Sequence, residues 1–335
     1  MKKLVTVLGS IIIAIALMLS GLIVYNLITA IPTGTWDQTD NDHLLENRPN
    51  NWQRLVDEPI ILEDQMDIIN GSTATIPITA ELFRQFYEYN AGQIHGNPIV
   101  QHDKTHASYL QLINREKSEY GSHLVSLIFV TPPSQDELAY AQKQQVELDL
   151  TPIALDGFVF ITHKDNPIDS LTIKQIQGIY SGKITNWRQV GGENRKILAY
   201  QRNENSGSQT AMEEKVMAGR KMVAPRRAYI RGEMSQLVDG IAEYDNGPAS
   251  IGYSYHYYLN YLYKNANIKV IKVGGVAPTD DNLVSGAYPF TTEYLAVMRA
   301  DEPKDSPARK LRDFLVTDTG QAVIKQAGYC PVVNS

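Results

Sequence analysis

Two loops rich in glycine, serine and threonine, at residues 71–76 and 202–208, could bind an anion. Each loop is predicted to join a short strand to a helix, and the N-terminus of a helix presents unpaired N–H groups and a partial positive charge. Such a site holds an anion without a net positive charge on the protein. Arg202 would add a planar guanidinium that suits a tetrahedral oxyanion. Further donors would be the hydroxyls of Thr75, Ser206 and Ser208.

The same loops have a simpler interpretation, because serine and threonine cap many helices. Each loop alone favours capping, whereas the two together, one of them with Arg202 ahead of its serines, make capping and anion binding comparable explanations. The overall charge of −6, from 31 basic and 37 acidic residues, means that an anion would have to be held by local donors. A broad nucleic-acid groove, which needs a clustered basic surface, is excluded.

The sequence lacks the compact signatures of catalysis: there is no GxSxG, HExxH or Walker motif, and no GxGxxG after a strand. We therefore predict neither an enzyme nor a cofactor. His102 and His106 have the spacing of a shared metal site, but no third ligand is near them in sequence. We interpret them as a solvated helix start and predict no metal. Cys330 is the single cysteine, which excludes an internal disulfide.

Short apolar runs alternate with amphipathic stretches, and this pattern indicates an α/β fold. The length of 335 residues favours about two globular units. A helix is predicted at residues 77–89, with proline at its first position. Two separate strands are predicted at residues 153–154 and 158–161, interrupted by Asp156 and Gly157.

Six tyrosines are concentrated between residues 253 and 263. They could form a stacking platform for a sugar or a base. Helical spacing would spread them over several faces, so we interpret them as packing groups.

The chain begins with a candidate membrane anchor at residues 1–31. Lys2 and Lys3 precede an uncharged apolar run that is long enough to cross a bilayer as a helix. A secretory h-region is shorter, so we predict an uncleaved signal anchor. The lysines place the N-terminus inside, and residues 32–64 are predicted to be an extracytoplasmic tether. The protein would thus be a single-pass protein of the cell membrane with its C-terminal domain extracytoplasmic.

One block of the sequence resembles a known family. Residues 171–187 read LTIKQIQGIYSGKITNW, and the motif Arg202-x3-Ser206-Gly207-Ser208 follows. This block is similar to the core of the phosphate-binding proteins of high-affinity phosphate ABC importers. Weaker matches lie at residues 71–77 and 250–253, and the resemblance runs from about residue 66 to residue 330.

The resemblance implies an α/β, two-lobed type II periplasmic-binding-protein fold that closes about a hinge. Lobe I would comprise residues 65–155 and 256–335, and lobe II residues 156–255. The oxyanion-binding residues implied for the first loop and its neighbours are Thr75, Ile76, Thr105 and Thr131. Those implied for the second loop are Arg202, Ser206, Gly207 and Ser208.

The function implied is that of a monomeric extracytoplasmic solute-binding protein that captures an inorganic oxyanion, phosphate first, and hands it to ABC permease subunits. The alternative is a membrane-anchored sensor or interaction protein that uses the same fold without transporting phosphate.

Thr131 departs from the family pattern and bears on the identity of the anion. The family usually has an aspartate here, which accepts a hydrogen bond from protonated phosphate and repels fully ionised sulfate. The anion thus stays open between phosphate and another oxyanion. Asp136 and Asp156 are candidate substitutes for the missing carboxylate.

Overall fold

A computed structural model describes residues 52–95, 97, 100, 102–119, 121–224, 229–243 and 247–332. The predicted membrane anchor at residues 1–31 and the tether up to residue 51 lie outside these residues. Within the described part of the chain, no helix combines the length and the apolar character needed to cross a bilayer.

The strands and helices alternate along the chain, as the sequence pattern predicts. The strands are β1 (Ile69–Gly71), β2 (Leu127–Val130), β3 (Leu148–His163), β4 (Ser170–Leu171), β5 (Leu198–Ala199), β6 (Gln201–Arg202), β7 (Ile230–Arg231), β8 (Ser250–Tyr255), β9 (Ile268–Val273), β10 (Thr291–Arg299) and β11 (Cys330–Pro331). The α-helices are α1 (Ile76–Tyr87), α2 (Ala91–His95), α3 (Thr105–Asn114), α4 (Gln135–Lys143), α5 (Ile173–Tyr180), α6 (Gly207–Ala211), α7 (Met234–Ala242), α8 (Asp280–Val284), α9 (Pro307–Leu315) and α10 (Asp318–Gln326). Two π-helices, Met212–Met217 and Tyr258–Leu262, follow α6 and β8.

The long strand β3 runs through the whole sheet, whose order is β1-β2-β10-β3-β8-β5. Its residues 148–157 pair with β10, and its residues 158–163 pair with β8 and β9. The prediction of two strands separated by Asp156 and Gly157 is therefore wrong. The chain stays extended there because successive partner strands supply hydrogen bonds on both sides of the Asp-Gly pair. We call β1, β2, β10 and the start of β3 the first half-sheet, and β5, β8, β9 and the end of β3 the second half-sheet.

Helices cover these half-sheets and bring the two candidate loops to them. Helix α3 packs on β1, β2 and β10, whereas α6 and α7 pack on β6 and β8. Trp187, from the family-like block, is buried, and its Nε1 donates to Ala249 O at 2.9 Å. The tyrosines of residues 253–263 are largely packing groups, as expected: four of the six are buried, and Tyr257 stacks on Tyr329 with ring centroids 3.8 Å apart.

The segment that precedes β1 lies against the domain. The Trp52 indole Nε1 donates to Glu81 Oε1 at 2.8 Å, and the Leu55 amide donates to Gln85 Oε1 at 2.7 Å, both on α1. Val56 and Ile61 are buried in the core. The end of the predicted tether thus packs on α1 through hydrogen bonds and apolar contacts.

Candidate functional site

The first candidate loop connects β1 to α1 and is tightly packed. Thr75 is buried, and its Oγ1 lies 2.6 Å from Phe129 O and 2.9 Å from Ser72 O, so its single proton is donated within the protein. The Ile76 amide donates to Thr73 O. Gly71 is required by sterics, because a Cβ there would lie 2.3 Å from Phe129 O. The Thr75 hydroxyl thus links the loop to β2, and the Ile76 amide makes a hydrogen bond within the loop.

His102 packs against this loop and supports it through hydrogen bonds. It is buried, with Nδ1 2.8 Å from Ser72 O and Nε2 3.0 Å from Thr79 Oγ1, so it is not part of a solvated helix start. His106 turns away and pairs with Glu137 at 2.9 Å. Because the two histidines have different partners, they do not form a common site. No group of three metal-ligating side chains occurs among the described residues.

Lys104, which precedes α3, adopts a backbone conformation that normally requires glycine. Its φ of 77° and ψ of 161° fall in a region that side chains with a Cβ rarely occupy, at a cost of about 1–3 kcal/mol. Its Nζ lies 2.5 Å from Glu233 Oε1, on the residue that caps α7. The Lys104–Glu233 pair therefore links α3 on the first half-sheet to α7 on the second.

We expect Lys104→Gly to raise the free energy of unfolding by about 1 kcal/mol, because the relief of backbone strain exceeds the loss of a half-exposed ion pair. Lys104→Ala is the matched control, since it removes the same ion pair and keeps the Cβ. Chemical denaturation of the two variants would measure the difference. A Lys104→Gly protein no more stable than Lys104→Ala would show that the backbone there is not strained.

Arg202 occupies the end of β6 and is held rigidly. Its Nε donates to Arg231 O at 3.0 Å and its Nη2 to Gly232 O at 2.8 Å, while Nη1 lies 3.5 Å from Ser208 Oγ. Its backbone amide donates to the Tyr253 hydroxyl at 2.9 Å. Burial lowers the pKa of Arg202 and Glu233 opposes that shift, but an arginine stays charged at any physiological pH. The cation is thus fixed beside the start of α6.

The three other residues of the second motif begin α6, and they differ in role. Ser206 caps the helix, because its Oγ accepts from the Gln209 amide at 3.3 Å. Ser208 is buried next to Arg202. At Gly207, a Cβ would lie 2.2 Å from Thr131 Oγ1 and 3.1 Å from Thr105 Oγ1. Gly207 therefore packs directly against Thr131 and Thr105.

The structure thus brings together five of the eight predicted site residues, from segments far apart in the chain: Thr105, Thr131, Arg202, Gly207 and Ser208. Thr105 starts α3 and Thr131 follows β2, both on the first half-sheet, whereas the other three lie against the second. Thr75 and Ile76 make their hydrogen bonds within the first loop and to β2. Ser206 acts as a helix cap.

The comparison with known protein families decides the relationship. The family model described as PBP superfamily domain matches residues 114–319. This chain belongs to the PBP superfamily. The mixed α/β architecture is that of the type II periplasmic-binding-protein fold.

Relatives within the PBP superfamily include two proteins named phosphate-binding protein PstS. The one from Borreliella burgdorferi is 26% identical over 273 residues, which cover 78% of this chain and 88% of that protein. The one from Pseudomonas aeruginosa is 28% identical over 219 residues, or 58% of this chain and 63% of that protein, which is less than two thirds of its length.

Solved structures show the same PBP fold. A protein described as a phosphate ABC transporter substrate-binding protein, from Clostridium perfringens with bound phosphate, has a TM-score of 0.59 at 24% identity and covers 79% of this chain and 98% of its own. An ABC-type phosphate transport receptor from Vibrio cholerae has a TM-score of 0.55 at 21% identity and covers 78% of this chain and 98% of its own. At these identities the similarity concerns the fold.

The two carboxylates considered as substitutes in this PBP-superfamily protein have other partners. Asp136 lies at the surface, where its Oδ2 accepts from Asn205 Nδ2 at 3.2 Å. Asp156 is buried, and its Oδ1 accepts from the Gly157 and Tyr257 amides at 2.7 and 3.0 Å. Its Oδ2 accepts from the Tyr294 hydroxyl at 3.0 Å. Burial raises the pKa of Asp156 to about 7. Its hydrogen bonds tie β3 to Tyr257 and to Tyr294 of β10, so this carboxyl is a structural group.

Burial lowers the pKa of His102 to about 4, so the folded protein keeps this ring neutral. The unfolded chain binds a proton there below about pH 6.5, and stability should therefore fall as the pH falls from about 6.5 to 4, by about 3 kcal/mol. Asp156 has the opposite effect, since its raised pKa makes the folded protein gain stability as the pH falls below 7.

Because these two slopes oppose each other, the measurement is the difference in unfolding free energy between wild type and His102→Gln across this pH range. We expect that difference to shrink as the pH falls. Thr79→Val is the control, because it removes a hydrogen bond to the ring and keeps the titrating group. A difference that does not change with pH would mean that folding does not lower the pKa of His102.

Tyr255, which lies near Arg202 and Thr131, is not among the site residues predicted from the sequence. Tyr255 is buried at the end of β8, two residues beyond Tyr253 on the same side of the strand. The alternating pattern of residues 252–255 is the only signal that pointed to it, and the abundance of tyrosines around it concealed that signal.

Proposed function

We propose that this protein is an extracytoplasmic solute-binding protein that captures inorganic phosphate between two lobes and delivers it to ABC permease subunits. The proposal rests mainly on the convergence of Arg202, Gly207 and Ser208 with Thr105 and Thr131. A fixed cation and several hydroxyl groups at one point are the donors that a tetrahedral oxyanion needs. Its relatives named phosphate-binding protein PstS support the choice of phosphate.

The proposed binding set is the eight residues derived from the sequence: Thr75, Ile76, Thr105, Thr131, Arg202, Ser206, Gly207 and Ser208. Arg202 would contribute most, because two backbone carbonyls already orient its guanidinium and little entropy is lost on binding. Thr75 and Ile76 would need to share or release their present hydrogen bonds. Several charge-assisted hydrogen bonds in a desolvated cleft could supply the roughly 8 kcal/mol of a micromolar complex.

The proposed lobes are residues 65–155 with 256–335, and residues 156–255. All described residues belong to one compact unit, and β3 is continuous at the proposed boundary. The Lys104–Glu233 and Asp136–Asn205 contacts would then span the two lobes and form in the closed state. Phosphate would drive closure through its better contacts in that state.

The proposed setting is the cell membrane, with residues 1–31 as a single-pass anchor and a monomeric domain outside. The protein would bind its ligand without changing it, so no catalytic step is proposed. Hydroxyl and amide donors together with the Arg202 guanidinium are sufficient to bind the anion.

Titration calorimetry on the full-length protein in mild detergent, after removal of bound anion by exhaustive dialysis, would test the function. We expect phosphate to bind with a dissociation constant near or below micromolar. No heat of binding at millimolar phosphate would exclude phosphate capture.

The second candidate function, a sensor without transport, is favoured by one observation: a neutral Thr131, rather than a carboxylate, faces Gly207. It would be supported if phosphate bound but loss of the protein left cellular phosphate uptake unchanged.

A further inference from the structure

Two buried hydroxyls near Arg202 lie next to each other and have no other hydrogen-bond partner in the described part of the protein. They are Thr131 Oγ1 and the Tyr255 hydroxyl, on side chains that are only 2% and 3% exposed. A hydrogen bond between the two uses only one of their two protons, and a buried hydroxyl proton left without an acceptor costs about 1–3 kcal/mol. Such a pair beside one fixed cation indicates groups reserved for a ligand.

The two hydroxyls are neighbours and lie beside the second loop. Burial and the charge of Asp156 raise the pKa of Tyr255 well above its ordinary value, whereas a hydrogen bond with the Thr131 hydroxyl and the charge of Arg202 act in the opposite direction. Thr131 Oγ1 also lies against Gly207. The pair therefore lies where the end of β2 meets the start of α6.

We propose that Thr131 and Tyr255 bind the oxyanion as neutral hydroxyl donors, so that the site accepts fully ionised tetrahedral dianions and does not require a proton on the ligand. This inference rests on the proposed oxyanion-binding function and adds Tyr255 and the class of ligand to it. Sulfate and hydrogen phosphate would both fit such a site. A hydroxyl donates to either anion, whereas an ionised carboxylate only accepts.

The nearby carboxylates have other partners and do not supply the missing acceptor. Glu233 pairs with Lys104, and Asp136 accepts from Asn205. Asp156 is saturated by two backbone amides and a tyrosine hydroxyl. Arg202 is therefore the cation that acts on the hydroxyl pair, whereas the Asp156 carboxylate, whose charge also acts on Tyr255, already accepts three hydrogen bonds.

The test is the affinity of the full-length protein for phosphate and for sulfate at pH 8, measured by titration calorimetry on wild type and three variants. We expect the wild-type affinities for the two anions to agree within about tenfold. Tyr255→Phe and Thr131→Val should each weaken both anions by roughly tenfold, because each removes one hydrogen bond to a charged group. Tyr288→Phe is the matched control: this buried tyrosine donates to Phe158 O at 3.0 Å, so its loss should leave binding unchanged.

The outcomes separate this inference from the proposed function. If wild type binds phosphate and Tyr255→Phe binds it equally well, the role of Tyr255 is wrong while phosphate capture stands. If wild type prefers phosphate over sulfate by more than a hundredfold, the site reads a proton and the proposed ligand class is wrong. If wild type binds neither anion at millimolar concentration, both proposals fall. Circular dichroism and melting curves would establish that each variant is folded.

Discussion

Arg202→Ala is expected to weaken phosphate binding by about a hundredfold while the protein stays folded. The guanidinium is the fixed cation of the proposed site, with Nη1 directed toward Ser208. Loss of two charge-assisted hydrogen bonds to a desolvated anion corresponds to about 3 kcal/mol or more. The fold should tolerate the change, because the carbonyls of Arg231 and Gly232 lie at a partly exposed edge where water can replace the arginine.

A neighbouring arginine provides a matched control for this experiment. Arg231 is paired with Arg202 in the two-stranded β6–β7 sheet, but its guanidinium lies over the Tyr200 ring at 4.7 Å and its Nε donates to Gln236 O. Arg231→Ala removes the same charge from the same region without removing a proposed ligand contact. Calorimetry should show near wild-type affinity for Arg231→Ala and a large loss for Arg202→Ala. Equal affinities in the two variants would remove Arg202 from the site.

Gly207→Ala is expected to weaken phosphate binding by roughly tenfold to a hundredfold for a steric reason. The new Cβ would lie 2.2 Å from Thr131 Oγ1, far inside van der Waals contact, and overpacking of this kind costs about 1–3 kcal/mol. If the lobes separate in the unbound protein, the clash destabilises only the closed state. The melting temperature without phosphate should then change little.

Two further variants make this prediction specific. Gly232→Ala is the control, because a Cβ there would find its nearest neighbour at 4.0 Å. Thr131→Ala removes the clashing atom, so Gly207→Ala should cost much less in that background than in wild type. An undiminished loss in the double variant would mean that Gly207 is needed for its backbone and not for the room it leaves.

Local sequence signals predicted the elements near the site well. Helix α1 was expected at residues 77–89 and is observed at Ile76–Tyr87, because Pro77 pre-sets its first turn. The second loop was identified from Arg202 and the serines that follow it. The boundaries moved by one or two residues, as they do wherever a helix frays.

Features that depend on residues distant in the sequence were predicted less well. His102 sits in a polar stretch of sequence yet is buried, because the Ser72 carbonyl and the Thr79 hydroxyl satisfy both of its nitrogens. The strand break expected at Asp156 is absent, because the Tyr257 amide and the Tyr294 hydroxyl satisfy the carboxylate within the sheet. Neither partner set can be inferred from the spacing of nearby residues.

The sequence by itself determined the α/β class, the two glycine-rich loops and the cation at Arg202, since helix capping, backbone freedom and charge act over a few residues. Only the tertiary structure decided that Gly207 meets Thr131 and that Lys104 reaches Glu233 across 129 positions. It also decided which hydroxyls of the described residues lack a partner elsewhere in the protein. Those features arise where loops and helices from the two halves of the sheet meet. Whether a buried polar group has a hydrogen-bond partner depends on which residue the fold places next to it. That residue can lie far away in the sequence, so local patterns do not reveal it.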